Sequence, residues 1–398
     1  MGTDELRAGL ENVVVAETRL SSVDGEAGEL LVAGYPIEEL APNASFEETL
    51  YLLRNGRLPT ADELDDFREK LASRRSIPDA TIDLLRAAAE DDGQSAMDAL
   101  RMGAATLSLG AADGRGGEGE REREDESGPV GGDPDRDSLS LVAAFPTVVA
   151  AYWRLRSGEE PVDPRPDLRH AANYLRMLTG ELPTEAETWG LETYLNAVVD
   201  HGLNASTFTA RTIASTESDL VSAITGAVGA LKGPLHGGAP GPVLAMLLDV
   251  DESGDAEGYL REKLDAGERI MGFGHRVYRV RDPRAAVLSD AAERFYAAES
   301  GGDEAFFESA RTFEGTAVDL LAEYKPGRNL ETNVEFYTAV LLHGVGVPQE
   351  LFSATFGVAR VGGWTAHCLE QLDDNRLIRP RSRYVGARGR EWTPIEDR

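Results

Sequence analysis

Gly-Pro-Leu-His-Gly-Gly-Ala, Gly233 to Ala239, sets His236 among glycines that keep its ring approachable and let backbone N–H groups come close to a ligand. Further along, Met-Gly-Phe-Gly-His-Arg-Val-Tyr-Arg-Val-Arg-Asp-Pro-Arg, Met271 to Arg284, carries His275 and follows it with Arg276, Arg279, Arg281 and Arg284. Guanidinium groups in such a run suit carboxylate or phosphate, which they grip in two-point fashion. The chain has only six histidines, so two in glycine-rich settings stand out. Together they read as one site for a small polyanion with imidazole beside it. The competing reading makes each histidine a turn residue and the arginines a solvated helix face.

Working outward, the 42.9 kDa mass is enough for a substantial core and for two domains. No continuous run of about 18 apolar residues is present, so no membrane span is expected. The opening Met-Gly-Thr-Asp-Glu-Leu-Arg lacks the basic and apolar regions of a secretory signal. The single cysteine, Cys368, excludes an intrachain disulfide framework and fits a reducing interior. A cytoplasmic location is the expectation.

The net charge of -30 opposes binding to nucleic acid or an anionic membrane, because neutralising phosphates needs a basic surface. Lysine occurs only at Lys70, Lys232, Lys263 and Lys325, so the basic side is almost all arginine. Excess carboxylate with scarce lysine points to a high-salt cytoplasm, where screening quenches self-repulsion. An ordinarily acidic mesophilic enzyme is the alternative. No phosphate-binding Gly-x-x-x-x-Gly-Lys-Ser/Thr is present, and the histidines lack zinc-ligand spacing.

The pattern is mainly helical. Asp24-Gly25 between two apolar runs predicts a hairpin within Val13 to Gly34. A helix is expected from Ser45 to Leu53, closed by Asn55-Gly56, and another from Thr60, where Glu63 completes a capping-box pattern. Helical spacing recurs through Asp79 to Leu109, Leu139 to Leu155 and Thr184 to Val199, with Pro146 expected to kink or divide the middle one. Residues 110–137, nearly without apolar side chains, read as a flexible acidic insertion.

Three further motifs follow the histidine segments in order: Asn-Val-Glu-Phe-Tyr at Asn333, Ala-Arg-Val-Gly-Gly-Trp-Thr-Ala-His-Cys-Leu-Glu-Gln at Ala359, and Arg-Pro-Arg-Ser-Arg-Tyr-Val-Gly at Arg379. The series resembles citrate synthase in its shorter bacterial and archaeal form, from Gly9 almost to the end. The resemblance implies an all-α, two-domain helical fold with a small N-terminal β-hairpin. Residues 1–236 and 339–398 would form the large dimerisation domain and 237–338 the small one, with the site in the cleft between them. A homodimer with shared active sites is implied.

Carried onto this sequence, the resemblance makes His236 the donor to the thioester oxygen of acetyl-CoA, acting as neutral imidazole. His275 would polarise the oxaloacetate carbonyl, and Glu335 would be the carboxylate base. His201, Arg284 and Arg360 would bind substrate, with Arg379 supplied by the other subunit. Gly272 and Gly274 would lie against coenzyme A, with Arg276 and Arg279 near its phosphates. No metal and no permanent cofactor are implied; the coenzyme A thioester is a cosubstrate. Trp364 and His367 read as packing residues on an apolar helix face.

Two departures mark a divergent paralogue. Most relatives carry aspartate where this chain has Glu335, and Ala239-Pro240-Gly241 replaces the more frequent Ala-Asn-Glu. The longer arm leaves three readings open: citrate synthase, 2-methylcitrate synthase using propionyl-CoA, and a weakly active substrate-binding paralogue.

Overall fold

The computed structural model describes residues 6–10, 13–109, 132–236, 240–274, 278, 280–299, 302–328 and 330–398. Of the sites expected from sequence, His275, Arg276 and Arg279 lie outside them, as do residues 110–131 of the acidic segment.

Sixteen helices and one small sheet make up the described residues. In the first half run α1 (Ile37–Leu40), α2 (Phe46–Asn55), α3 (Ala61–Ala72), α4 (Asp79–Glu90), α5 (Ala96–Thr106), α6 (Pro134–Arg156), α7 (His170–Thr179) and α8 (Glu185–Val198). In the second run α9 (Ala205–Ala214), α10 (Leu220–Leu231), α11 (Pro240–Ser253), α12 (Ala256–Asp265), α13 (Pro283–Tyr296), α14 (Glu304–Tyr324), α15 (Val334–Gly344) and α16 (Phe352–Asp373). The fold is therefore helical, as the sequence pattern indicates.

Local chemistry accounts for most boundaries. Ser45, Thr60 and Thr184 each accept from the backbone N–H three residues on, while Glu48, Glu63 and Glu187 reach back to close the capping box. Gly56 ends α2 in the left-handed conformation at φ 71°. Asp91 and the turn after it break the long periodic stretch into α4 and α5.

Three expectations need correction. The hairpin starts at Ser21, not Val13: β1 (Ser21–Asp24) pairs antiparallel with β2 (Glu29–Val32), and β2 with a third short strand, β3 (Tyr35–Pro36). The turn is a longer one, in which the Asp24 carboxylate accepts from the Glu26 and Ala27 N–H groups. Helix α6 starts at Pro134, inside the segment read as insertion, because Asp133 caps it and proline fits the first turn. That helix also runs unbroken through Pro146. A mid-helix proline costs about 3 kcal/mol or more, and burial of every residue from Leu141 to Tyr152 offsets it.

By length and composition α6 would cross a membrane, but 78% of its apolar window is buried inside the protein. It is a core helix, packed against α4, α5, α7 and α16. Helix α16 is the other central element, touching α6, α8, α9 and α10. Its Gly363 allows the close approach to α8: a Cβ there would collide with the Val199 carbonyl and lie 2.9 Å from Asp200 Oδ1. The approach brings the loop after α8, the start of α9 and the middle of α16 together.

Candidate active site

His236 follows α10 and is half-buried. Its Nε2 lies 2.8 Å from Ser206 Oγ and 3.3 Å from the Ser206 backbone nitrogen. Asn204 caps α9 and fixes Ser206 through its N–H at 3.1 Å and its hydroxyl at 2.8 Å. Trp364, fully buried on α16, donates its indole N–H to Ser206 Oγ at 3.0 Å. Burial and then the Arg360 charge hold the His236 pKa below its usual value. The N-terminus of α9 acts in the same direction. His236 is therefore held as a neutral imidazole against the first turn of α9.

Glu335 is the second residue of α15, and its own N–H is taken by the capping Asn333. Asn333 also binds backwards: its Nδ2 donates to the Gly274 carbonyl and its N–H to the Gly272 carbonyl, each at 2.9 Å. Gly274 N–H completes the clip on the Glu331 carbonyl at 2.7 Å. Gly272 and Gly274 both have positive φ, 88° and 79°. A Cβ at Gly272 would press on Phe336 at 3.1 Å, which is where glycine is required. The 271–274 backbone is thereby fastened beside Glu335.

Glu335 is half-buried. Burial pushes the pKa up to about 7, with Asp282 adding to the rise and Arg284 and Arg360 opposing it. Among the described residues, no hydrogen bond reaches that carboxylate.

Arg284 and Arg360 are both buried. Arg284, in the first turn of α13, forks onto its own capping residue Asp282 at 3.1 and 2.8 Å. Burial opposes its charge, but Asp282 outweighs burial and raises the pKa. The fork uses two of five guanidinium N–H groups, leaving donors for a ligand. Arg360, on α16, donates from Nε to the Val198 carbonyl at 2.7 Å and stacks on Phe356 at 4.5 Å. Burial, against the nearby Asp200, lowers its pKa to about 10, so it stays cationic at neutral pH. No carboxylate ion-pairs with Arg360 among the described residues, so its charge awaits an anion. His201 completes this side, with Nε2 3.1 Å from the Tyr278 hydroxyl.

The structure thus gathers His236, Glu335, Arg284 and Arg360: the Arg360 charge acts on both His236 and Glu335, and that of Arg284 on Glu335. Arg379 is not among them; it is exposed in the extended segment after α16. His367 is fully buried, 3.2 Å from Asp200 and 3.0 Å from Arg211, an internal cross-link in keeping with a packing role. Trp364 does more than pack, because it anchors the serine that holds His236. Sequence reasoning also passed over Ser206 and Asn333. Both are Asn-capped helix starts, in Asn204-Ala205-Ser206 and Asn333-Val334-Glu335, and that shared signal was available.

A helical fold that sets a neutral imidazole, a raised carboxyl and two buried arginines within electrostatic reach of one another has the makings of an acid–base site for an anionic substrate. The chain belongs to the citrate synthase family, acyltransferases that join acetyl-CoA to oxaloacetate: the family model "Citrate synthase, C-terminal domain" matches residues 9–381. It is 45% identical to a citrate synthase of Haloferax volcanii, with 99% of each chain covered. It is also 36% identical to a 2-methylcitrate synthase of Shewanella oneidensis, covering 98% of each. Among solved structures, it superposes on citrate synthase of Thermoplasma acidophilum, in ternary complex with carboxymethyl coenzyme A and oxaloacetate, with TM-score 0.83 and 30% identity over 99% of this chain and 100% of that one.

Proposed function

We propose that the chain condenses acetyl-CoA with oxaloacetate and water to give citrate and coenzyme A. The observation that carries this is the pairing of a neutral imidazole, His236, with a carboxyl group poised near neutrality, Glu335. A base works best when its pKa lies near the operating pH. Glu335 would take a proton from the acetyl methyl group while His236 donates to the thioester oxygen, stabilising the enol. Arg284 and Arg360 would hold the oxaloacetate carboxylates, with His201 beside them. His275 would polarise the ketone for attack, and water would then cleave the citryl thioester. The 271–274 backbone would seat coenzyme A, with Arg276 and Arg279 near its phosphates. Nothing in this sequence of steps calls for a metal or a resident cofactor.

The organisation proposed with it is two domains, 237–338 closing on 1–236 and 339–398, in a homodimer whose Arg379 serves the other subunit's site. The exposure of Arg379 supports that reading. We further propose a cytoplasmic enzyme adapted to high salt, on the strength of the net charge of -30. Equal fold and activity at 0.1 M and molar KCl (about 10 Å against 3 Å of screening) would remove that part alone.

The second reading, 2-methylcitrate synthesis from propionyl-CoA, is supported by the Shewanella relative. One extra methyl changes pocket binding by only about 1–3 kcal/mol. The test is thiol release with oxaloacetate, comparing acetyl-CoA with propionyl-CoA in molar KCl, with Glu335→Asp alongside. Release with acetyl-CoA is expected. Faster release with propionyl-CoA selects the second reading, and release only after Glu335→Asp would mean a substrate-binding paralogue.

A further inference from the structure

Ser21 opens β1, and the alternation of that strand puts Ser21 and Val23 on its covered face, with Ser22 and Asp24 outside. Both inner residues meet the loop between α8 and α9. The Ser21 hydroxyl donates to Asp200 Oδ2, and its oxygen accepts the Gly202 N–H at 2.8 Å. Val23 Cγ2 lies 3.6 Å from the place a Gly202 Cβ would take. The two Ser21 bonds end on the residues either side of His201. One hydroxyl therefore joins the side chain before the histidine to the backbone after it.

The same loop is held from its other side by α16. The fully buried His367 brings Nε2 to 3.2 Å from Asp200 Oδ2, and Arg360 donates to the Val198 carbonyl at 2.7 Å. Asp200 is itself fully buried, and a charge taken out of water needs such partners. Held in this way, His201 presents Nε2 to the Tyr278 hydroxyl at 3.1 Å, in the segment that leads to Arg284. The hairpin reaches that segment too: a Cβ on Gly28, in its turn, would lie 2.6 Å from Val280 Cγ2.

We propose that Ser21 is a positioning residue for His201: through Asp200 and Gly202 it sets the loop that aims the imidazole at oxaloacetate. The inference rests on His201 binding oxaloacetate in the proposed reaction. It adds that the N-terminal hairpin, outside every linear motif of the site, is part of the substrate-binding apparatus.

The test is a double-mutant cycle over Ser21→Ala, His201→Ala and the two combined, read by calorimetric titration of oxaloacetate into the full chain without thioester. Ser21→Ala should weaken Kd about ten-fold, the scale of one hydrogen bond to a charged group. His201→Ala should weaken it at least as much, and the double variant should bind no more weakly than His201→Ala alone. Ser21→Cys fills the same space with a weak donor and acceptor; it should lose binding as Ser21→Ala does and covers the case of a poorly folded Ala variant. Ser21→Thr keeps the hydroxyl at a strand position threonine favours and should hold Kd within about two-fold of wild type. KM for oxaloacetate should follow Kd while KM for the thioester holds. Equal losses from Ser21→Ala with and without His201 would overturn the proposal and make the hydroxyl a structural tie. Weaker binding in His201→Ala but not in the Ser21 variants would sink the proposal alone. An unchanged Kd in His201→Ala would remove the histidine from the substrate site and the proposal with it. A chain that binds oxaloacetate but releases no thiol would sink the proposed reaction and leave the cycle to decide this one.

Discussion

Two glutamates among the described residues are pushed to about 7 by burial, and their surroundings differ. Glu192, on α8, faces Glu47 on α2, and that like charge adds to the effect of burial. Its oxygens are nonetheless occupied: Arg169 donates to one at 3.0 Å and the Phe46 N–H to the other at 3.4 Å. Glu47 in turn accepts the His170 N–H at 2.8 Å, and Arg169 also pairs with Glu185. That cluster is knitted by its own protein groups and ties α2, α7 and α8 together. Glu335 feels two buried arginines but is hydrogen-bonded to neither. A raised pKa alone therefore does not mark a catalytic group; what sets Glu335 apart is that its carboxylate accepts no hydrogen bond among the described residues.

The widest separation comes from neutralising each in turn. Glu335→Gln should lower kcat by about 10³-fold, within the range of general-base contributions, while Glu192→Gln should leave kcat within a few-fold of wild type. Thiol release under saturating substrates reads both, and equal losses would break the comparison. The stability signs can be followed as well. Both carboxyls bind protons more tightly folded than unfolded, so each favours the fold below about pH 4.5 and withdraws that support as pH rises through 7. Glu335→Gln should therefore raise Tm at pH 8 more than at pH 4.5.

Much of the site was legible because its parts are linear. His236, Glu335 and Arg284 lie in short motifs whose capping residues, prolines and glycines have local reasons to be there. What the sequence concealed is what α16 contributes from its face. Trp364 shares helical spacing with Val361 and Cys368, so it reads as one more core residue. Only the packing of α16 against α9 shows that its indole N–H meets Ser206. Pro146 misled for the converse reason: its local rule is sound, and tertiary burial overrode it.

The next effect in size concerns His236. His236→Ala removes the donor to the developing oxyanion and should cost about 10²-fold in kcat. The acid limb of kcat/KM should stay near 7, since it belongs to Glu335 and the histidine is already neutral there. A limb that vanished with His236 would hand the titration to the imidazole and invert the assignment.

The smallest effect probes how His236 is aimed. Trp364→Phe deletes only the indole N–H and part of the ring, and with it the 3.0 Å bond to Ser206 Oγ. Ser206 keeps Asn204, so the loss should be that of one neutral hydrogen bond, about 1 kcal/mol or some five-fold in kcat. Arg284 and Arg360 are untouched, so KM for oxaloacetate should hold. A Phe variant with unchanged kcat and lowered Tm would return Trp364 to a packing residue. A fall in kcat at constant KM would place it in the line from α16 through Ser206 to the imidazole. Glu192 has no such line, because every bond it makes ends in structure.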